Sequence, residues 1–302
     1  MGVLPLVHLK SALFGNSLVS MPFVDGGGIL ADAREVEEGL LFEAVAFARR
    51  LRASRIELRC ERGIATCDEA IETARAGVAP SMVTKRTDKV RMVLNLPGSS
   101  KELLKCFRSK LRSQINRPLK DGCISRTGGL ELLEHFYRVF LINMRELGSP
   151  VHSKQLMHSA LGEFPACSQI TIVYHAGAPV AAGFVMGFKG MMRNLWASSD
   201  RRYSSMSPNM LLYLRMLEFA CDNGYGAFDF GRSTRDEGTY RFKEQWGAKA
   251  VPLHWYVASP YAKPIIPDVR SKRFEMAARC WRTLPLGVTK VIGPRIRKHI
   301  SL

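Results

Sequence analysis

Apolar and polar positions recur with two different periods along this chain, and the changes of period mark its elements. Val3 to Lys10 and Ser17 to Phe23 read as two strands around a turn at Phe14-Gly15-Asn16. Beyond Gly26-Gly27-Gly28 the period lengthens. Leu40, Leu41, Ala44, Val45, Ala48 and Leu51 recur at helical spacing and predict a helix from Val36 to about Leu51. Arg55 to Leu58 alternates as a short strand. After an irregular Ala/Gly stretch, Lys89 to Leu96 alternates again, with Val90, Met92 and Leu94 on one face. Pro97-Gly98-Ser99-Ser100 predicts a linker.

A fuller set of elements follows. Ser99 or Ser100 can cap a helix from Lys101 to about Arg117, whose apolar face is Leu104, Phe107, Leu111 and Ile115. A second helix runs from Leu130 to Leu147 and stops at Gly148-Ser149-Pro150; Lys154 to Leu161 predicts a third. Strands are expected at Ser168 to His175, Pro179 to Phe188 and Met191 to Ser198. A helix then runs from Pro208-Asn209 to Asp222, and a strand from Gly226 to Phe230 leads into Gly231-Arg232-Ser233. The order of two strands around a glycine turn, a helix and a short strand thus occurs twice. The pairings Lys10/Lys189 and Gly15/Gly190, with the strands at Arg55 and Ala227, keep an offset of roughly 170 to 180 residues, which predicts a duplicated fold.

Composition narrows the class. At 302 residues, with 46% hydrophobic and 24% charged content, the chain suits one large domain or two ordinary ones and excludes global disorder. No apolar run approaches the roughly eighteen residues of a membrane-spanning helix. Seven scattered cysteines without a C-x-x-C pair, and histidines without an H-E-x-x-H, argue against a disulfide framework and a metal site. They predict a cytoplasmic protein in a reducing compartment, with no metal. Lys and Arg outnumber Asp and Glu 44 to 27, so polyanionic partners are expected: a nucleic acid, cofactor phosphates, an anionic precursor or an acidic membrane face.

Specific motifs carry a resemblance. Phe228-Asp229-Phe230-Gly231-Arg232-Ser233 and Gly238-Thr239-Tyr240-Arg241-Phe242-Lys243-Glu244-Gln245-Trp246-Gly247-Ala248 resemble the signature of FemAB-type transferases. Pro208-Asn209-Met210-Leu211-Leu212-Tyr213 and the basic segment from Phe107 to Gly122 do so too. Leu4-Pro5-Leu6, Leu13-Phe14-Gly15 and the tail Trp281 to Arg297 are similar to the FemAB-related proteins associated with exosortase/PEP-CTERM systems. The resemblance implies an α/β (α+β) fold of tandem GNAT-like domains. The divisions expected are a first domain over 1–97, a second and complete one over 98–260, and a basic tail over 261–302. Relatives carry a stretch before the first strand pair, so the first domain is expected to be N-terminally incomplete. The implied activity is transfer of an acyl or aminoacyl group to an amine or hydroxyl of a cell-envelope or exopolysaccharide precursor. The donor would be aminoacyl-tRNA or acyl-CoA as a co-substrate, with no tightly bound cofactor.

Chemistry concentrates on few residues. Aminolysis builds charge on a carbonyl oxygen, and the resemblance gives Lys243 the stabilising role; a surface lysine is the plain alternative. Arg232, directly after a strand, suits a phosphate or carboxylate clamp, or a structural pair with Asp229 or Asp236. Asp229 itself reads as a base or, more simply, a salt-bridge partner. Asn209 reads as a helix N-cap facing an anion or merely closing the helix. Tyr213 suits either proton donation to a leaving group or core packing. Ser233, Phe242 and Trp196 complete the expected substrate-binding set. Lys101, Lys105, Arg108 and Arg112 recur at four, three and four residues as one stripe, with Arg117 beyond it, and suit a phosphate-rich donor. The tail from Lys263 has ten basic and two acidic residues with interspersed apolar ones, so it docks on the first domain or contacts an anionic membrane. Pro285 and Pro294 are expected to break any long helix there. No R-x-x-G-x-G/A coenzyme A loop, Walker loop, dinucleotide fingerprint or G-x-S-x-G elbow occurs.

Overall fold

Apolar alternation places most strands of the chain in two separate sheets. The structure is a computed structural model and describes residues 1–12, 14–75, 82–261 and 272–301. In chain order the elements begin with β1 (Gly2–Val3), β2 (Val7–Ser11), β3 (Gly15–Val19), β4 (Leu30–Ala31), α1 (Arg34–Arg50), β5 (Arg55–Cys60), α2 (Ala65–Arg75) and β6 (Val83–Arg86). They continue with β7 (Lys89–Asn95), α3 (Ser100–Cys106), α4 (Ser109–Lys120), β8 (Ile124–Gly128), α5 (Leu133–Leu147), α6 (Lys154–Glu163), β9 (Ser168–His175), β10 (Ala178–Phe188) and β11 (Met191–Ser199). The remainder is α7 (Pro208–Asp222), β12 (Ala227–Thr234), α8 (Gly238–Glu244), β13 (Lys249–Pro252), β14 (His254–Ala258), α9 (Lys272–Thr283) and α10 (Leu286–Arg297). Part of the expected Leu13-Phe14-Gly15 resemblance, at Leu13, and the start of the basic tail, at 262–271, lie outside the described residues.

Two compact units result. The first comprises Met1–Val90, Val251–Arg270 and Ile296–Leu302; the second comprises Arg91–Ala250 and Ser271–Arg295. The first unit's sheet has the order β2-β3-β5-β14-β6, the second's β13-β7-β12-β11-β10-β9-β8. The expected boundary at 97 therefore shifts. Strand β7 is an inner strand of the second sheet, and β14 returns to sit between β5 and β6 of the first. Backbone pairing across distant segments moves these limits, and local composition carries no mark of it.

The duplication holds at the level of pairing. In the first unit β2 and β3 form an antiparallel hairpin, and β3 runs parallel to β5 through Ser17↔Arg55, Leu18↔Ile56 and Val19↔Glu57. In the second, β10 and β11 form the hairpin, and β11 runs parallel to β12 through Met191↔Ala227, Met192↔Phe228 and Arg193↔Asp229. Gly15 and Gly190 take φ of 84° and 75° at the two hairpins, a region open to glycine at little steric cost.

The second unit's core lies between its sheet and α5. Phe136, Tyr137 and Phe140 of α5 pack on Ile170, Ile172, Ala182 and Phe184 of the strands. Each such aromatic burial stabilises by about 1.5–3 kcal/mol. The predicted stop at Gly148 is a left-handed C-cap with φ of 77°.

Two helical expectations change. The single helix expected from Lys101 breaks at Phe107 and Arg108, which are extended, so α3 and α4 are separate. Ser99 caps α3 as expected, its hydroxyl accepting from Glu102 N. Leu103 is buried instead of Leu104, because the face closes within α3 and restarts on Leu111 and Ile115 of α4. The tail divides instead of docking as a whole on the first unit. Within the second unit, Arg282 donates to the Glu146 and Leu147 carbonyls at the α5 C-terminus, and Trp281 is buried. Pro285 precedes α10, whereas Pro294 lies inside it and leaves the Lys290 carbonyl without its intrahelical donor.

Candidate functional site

The second unit opens where β11 and β12 part. Their parallel register stops at Arg193↔Asp229, although β11 continues to Ser199 and β12 to Thr234. Two local features drive them apart. On β11, Val185 pairs with Asn194 and Phe184 with Trp196, so Leu195 is a bulge. On β12, Gly231 takes φ of 78° and its N–H donates to Asp229 Oδ1 at 2.8 Å. Two polar side-chain atoms lie where the strands diverge, just past the last paired residues. Asn194 Oδ1 on β11 and Ser233 Oγ on β12 are buried side-chain oxygens with no hydrogen-bond partner among the described residues.

Helices α7 and α8 furnish the walls. Tyr213 stacks on Phe230 at 5.4 Å, packs edge-on against Phe242 at 5.1 Å, and accepts a hydrogen bond from Asn194 Nδ2 at 3.2 Å. Burial pushes the Tyr213 hydroxyl well above the usual tyrosine range, partly offset by that hydrogen bond, so it stays protonated at any physiological pH. Lys243 on α8 is buried. Its Nζ donates to the carbonyls of Gly231 at 2.9 Å and Arg232 at 2.8 Å, fixing an ammonium beside the peptide where β12 leaves β11. Phe107 at the α3–α4 break packs edge-on against Trp246 at 5.4 Å, so the break is anchored next to α8.

The remaining expected residues separate into those near this opening and those away from it. Arg232 is half-buried at the same peptide that Lys243 holds, and Ser233 follows it. Asp229 is buried and faces Arg91 Nε at 3.6 Å, so it lies in an ion pair beneath the opening. Asn209 is not the cap of α7. Ser207 holds that position with φ of 53°, Pro208 is the first helical residue, and Asn209 Nδ2 donates to Ser199 Oγ at 3.1 Å. Trp196 turns to the other face, because the Leu195 bulge reverses the alternation. It packs against Phe184 at 5.3 Å and His152 at 5.6 Å in the α5 core. The basic stripe is split by the α3–α4 break. Lys105 and Arg112 line a cleft of about 280 Å³ with Leu104, Ile115 and Asn116. Arg108 lines a second cleft, of about 470 Å³, with Arg241, Gln245 and Trp246. Lys101 and Arg117 are exposed and line neither cleft. Periodicity missed Asn194 and the helix break at Phe107, since a bulge and a break both violate the regular period; Phe107 itself stands on the expected apolar face and is buried.

The first unit repeats the divergence but fills it. Beyond Val19↔Glu57, Arg59 N of β5 donates to Ser20 Oγ at 2.8 Å, and Gly27 N donates to Arg59 O at 3.0 Å. Arg59 Nη1 donates to Val24 O, and Trp255 Nε1 to Asp25 O, each at 2.9 Å. The segment 20–28 thereby occupies the gap that stays open in the second unit. Among the described residues no group of His, Cys, Asp and Glu is arranged to hold a metal, and no helix is long and apolar enough to cross a membrane.

Residues 105–244 match the family model of the acetyltransferase (GNAT) domain. No curated protein matches the chain. Among solved structures it is similar to FemX, at 15% identity over 86% of this chain and 85% of that one, with a TM-score of 0.63. It is similar to the C-terminal domain (DUF2156) of a protein assigned as a lysylphosphatidylglycerol synthetase from Agrobacterium fabrum, at 13% identity over 92% and 88%, with a TM-score of 0.58. A tandem GNAT protein from the clavulanic acid biosynthesis pathway aligns at 13% identity over 82% and 76%, with a TM-score of 0.50. The chain has a mixed α/β fold with a GNAT-like domain in its second unit, and tandem GNAT proteins are among its structural neighbours.

Proposed function

We propose that the second unit transfers an acyl or aminoacyl group to an amine or hydroxyl of a cell-envelope or exopolysaccharide precursor, at the cytoplasmic face of the membrane. The observation that carries this reading is the parting of β11 and β12, with the unpartnered Asn194 Oδ1 and Ser233 Oγ beside it and the buried Lys243 ammonium at its edge. In this reading the acyl carbonyl enters the opening. The acceptor's amine or hydroxyl attacks it directly, without a covalent enzyme intermediate, and charge collects on the carbonyl oxygen. The fixed positive charge of Lys243 lowers that barrier; removing one such stabilising group typically lowers the rate by about 100- to 1000-fold. Tyr213, hydrogen-bonded to Asn194, passes a proton to the leaving group and takes in its place the proton that the attacking amine or hydroxyl releases. Arg232 holds an anionic group of the substrate, while Lys105, Arg108 and Arg112 attract the donor's phosphates.

Two donors fit. Aminoacyl-tRNA is favoured by the motif resemblance to FemAB-type transferases and the basic α3–α4 region; acyl-CoA is favoured by the acetyltransferase domain match. The test is donor consumption. Wild type and Lys243→Ala are offered a charged-tRNA pool or acyl-CoA species, each with a cell-envelope extract as acceptor. Loss of label from one donor with wild type and not with the variant supports the transferase and names its donor. Equal loss with both removes Lys243 from the mechanism. No consumption of either donor overturns the reading in favour of a polyanion-binding protein.

A further inference from the structure

Helices α9 and α10 each turn one face toward the second unit and the other outward. On α9, Ala278 lies against Gly148 and Trp281 is buried, which fixes the inner face. On α10, Thr289 and Gly293 are buried, with Gly293 against Val151. Helical geometry then assigns Lys272, Met276 and Arg279 to the outer face of α9 and Val288, Val291 and Arg295 to that of α10. All six are exposed, including Met276 at 63% and Val291 at 58%. Met276, Val288 and Val291 thus stand exposed among the cations of two successive helices. Between Lys272 and Arg295, six basic residues stand against one acidic residue, Glu275.

We propose that the outer faces of α9 and α10 dock this chain on an anionic phospholipid surface. Cations spaced along both helices meet headgroup phosphates, and Met276, Val288 and Val291 between them enter the boundary with the acyl chains. A nucleic acid would satisfy the charge and leave these apolar side chains in water, so the lipid surface is the better fit. The proposal does not rest on the transferase reading, since none of these residues belongs to the β11–β12 opening.

Flotation of the full chain with phosphatidylcholine vesicles, with and without phosphatidylglycerol, tests it. Binding is expected only with phosphatidylglycerol and is expected to weaken as salt rises. Arg279→Glu with Arg295→Glu is expected to lower partitioning by more than tenfold, each lost cation contributing on the order of fivefold. Met276→Ser with Val291→Ser keeps the charge and is expected to weaken binding at every salt concentration. Circular dichroism and thermal melting confirm that both variants fold. Equal binding to both vesicle types, no binding, or unchanged binding by the charge variant overturns the proposal. Binding unaffected by the apolar pair but fully competed by single-stranded RNA also overturns it, in favour of a polyanion site. Donor turnover without vesicles is read in the same samples, so a failed docking result is distinct from a failed enzyme.

Discussion

Replacing Ser233 by alanine removes a hydroxyl that has no hydrogen-bond partner among the described residues, so thermal stability is expected to stay unchanged or rise slightly. If that hydroxyl meets substrate at the β11–β12 opening, kcat/KM falls about tenfold or more in the same variant. An unchanged kcat/KM removes Ser233 from the site. Lys243→Ala behaves differently, because it strips a donor from two carbonyls; an expected loss of about 1–3 kcal/mol by chemical denaturation accompanies any loss of rate. Reading both variants together separates a structural effect from a chemical one. Tyr213 and Lys243 stand in motifs readable in the sequence, and both lie beside the β11–β12 divergence. Asn194 was not legible, since the Leu195 bulge that aims it toward Tyr213 inserts one residue into an otherwise regular alternation.

Elements show the same limit in larger form. The residues from Lys101 to Arg117 have a continuous helical period with no Gly or Pro before Pro118, yet Phe107 and Arg108 are extended. Packing of Phe107 on Trp246, a contact made across more than a hundred residues of sequence, overrides the local preference. Phe107→Ala is accordingly expected to destabilise by about 3–5 kcal/mol and to lower the helical signal of α3 and α4, measured by circular dichroism during denaturation. A smaller change with the helices intact would mean that the break is set locally. The second hairpin, α1, α5, α7 and β9 were read near their true limits, because their apolar faces are regular and their ends carry Gly148, Pro208 or Gly190; the first hairpin is shorter than read, at Val7–Ser11 and Gly15–Val19, and β12 runs on from Phe230 to Thr234. Short elements such as α2, β6 and α8 left no periodic signal to read.

At the scale of the molecule, non-local pairing decides what can stand alone. A fragment covering 89–252 contains every strand of the second sheet, whereas 98–252 lacks only β7 and leaves β12 and β13 without their shared neighbour. The longer fragment is expected to melt cooperatively and the shorter to aggregate, by calorimetry and size-exclusion chromatography. Equal behaviour would show that β7 is dispensable. Stability as a whole should also depend on alkaline pH through the buried thiols of the first unit. Burial pushes Cys60 up to about 11 and Cys67 to about 12, from an ordinary value of 9.0. Above about pH 9 the unfolded chain gives up protons that the folded chain retains. The thermal midpoint should therefore fall as pH rises from 9 toward 12, and Cys60→Ala with Cys67→Ala should flatten that slope.

The place of β14 between β5 and β6 has a consequence for how the chain is made. Both neighbours leave the ribosome early, but the strand that joins them follows only after β6 and nearly the whole second unit. At ordinary translation rates that interval lasts on the order of ten seconds or more, far longer than a hairpin needs to form. During it β5 and β6 each present a bare edge, so the nascent first half is a natural client for chaperones that shield unpaired strands. Codon changes that slow synthesis between residues 90 and 250 would prolong this exposure, lowering soluble yield without altering a single side chain.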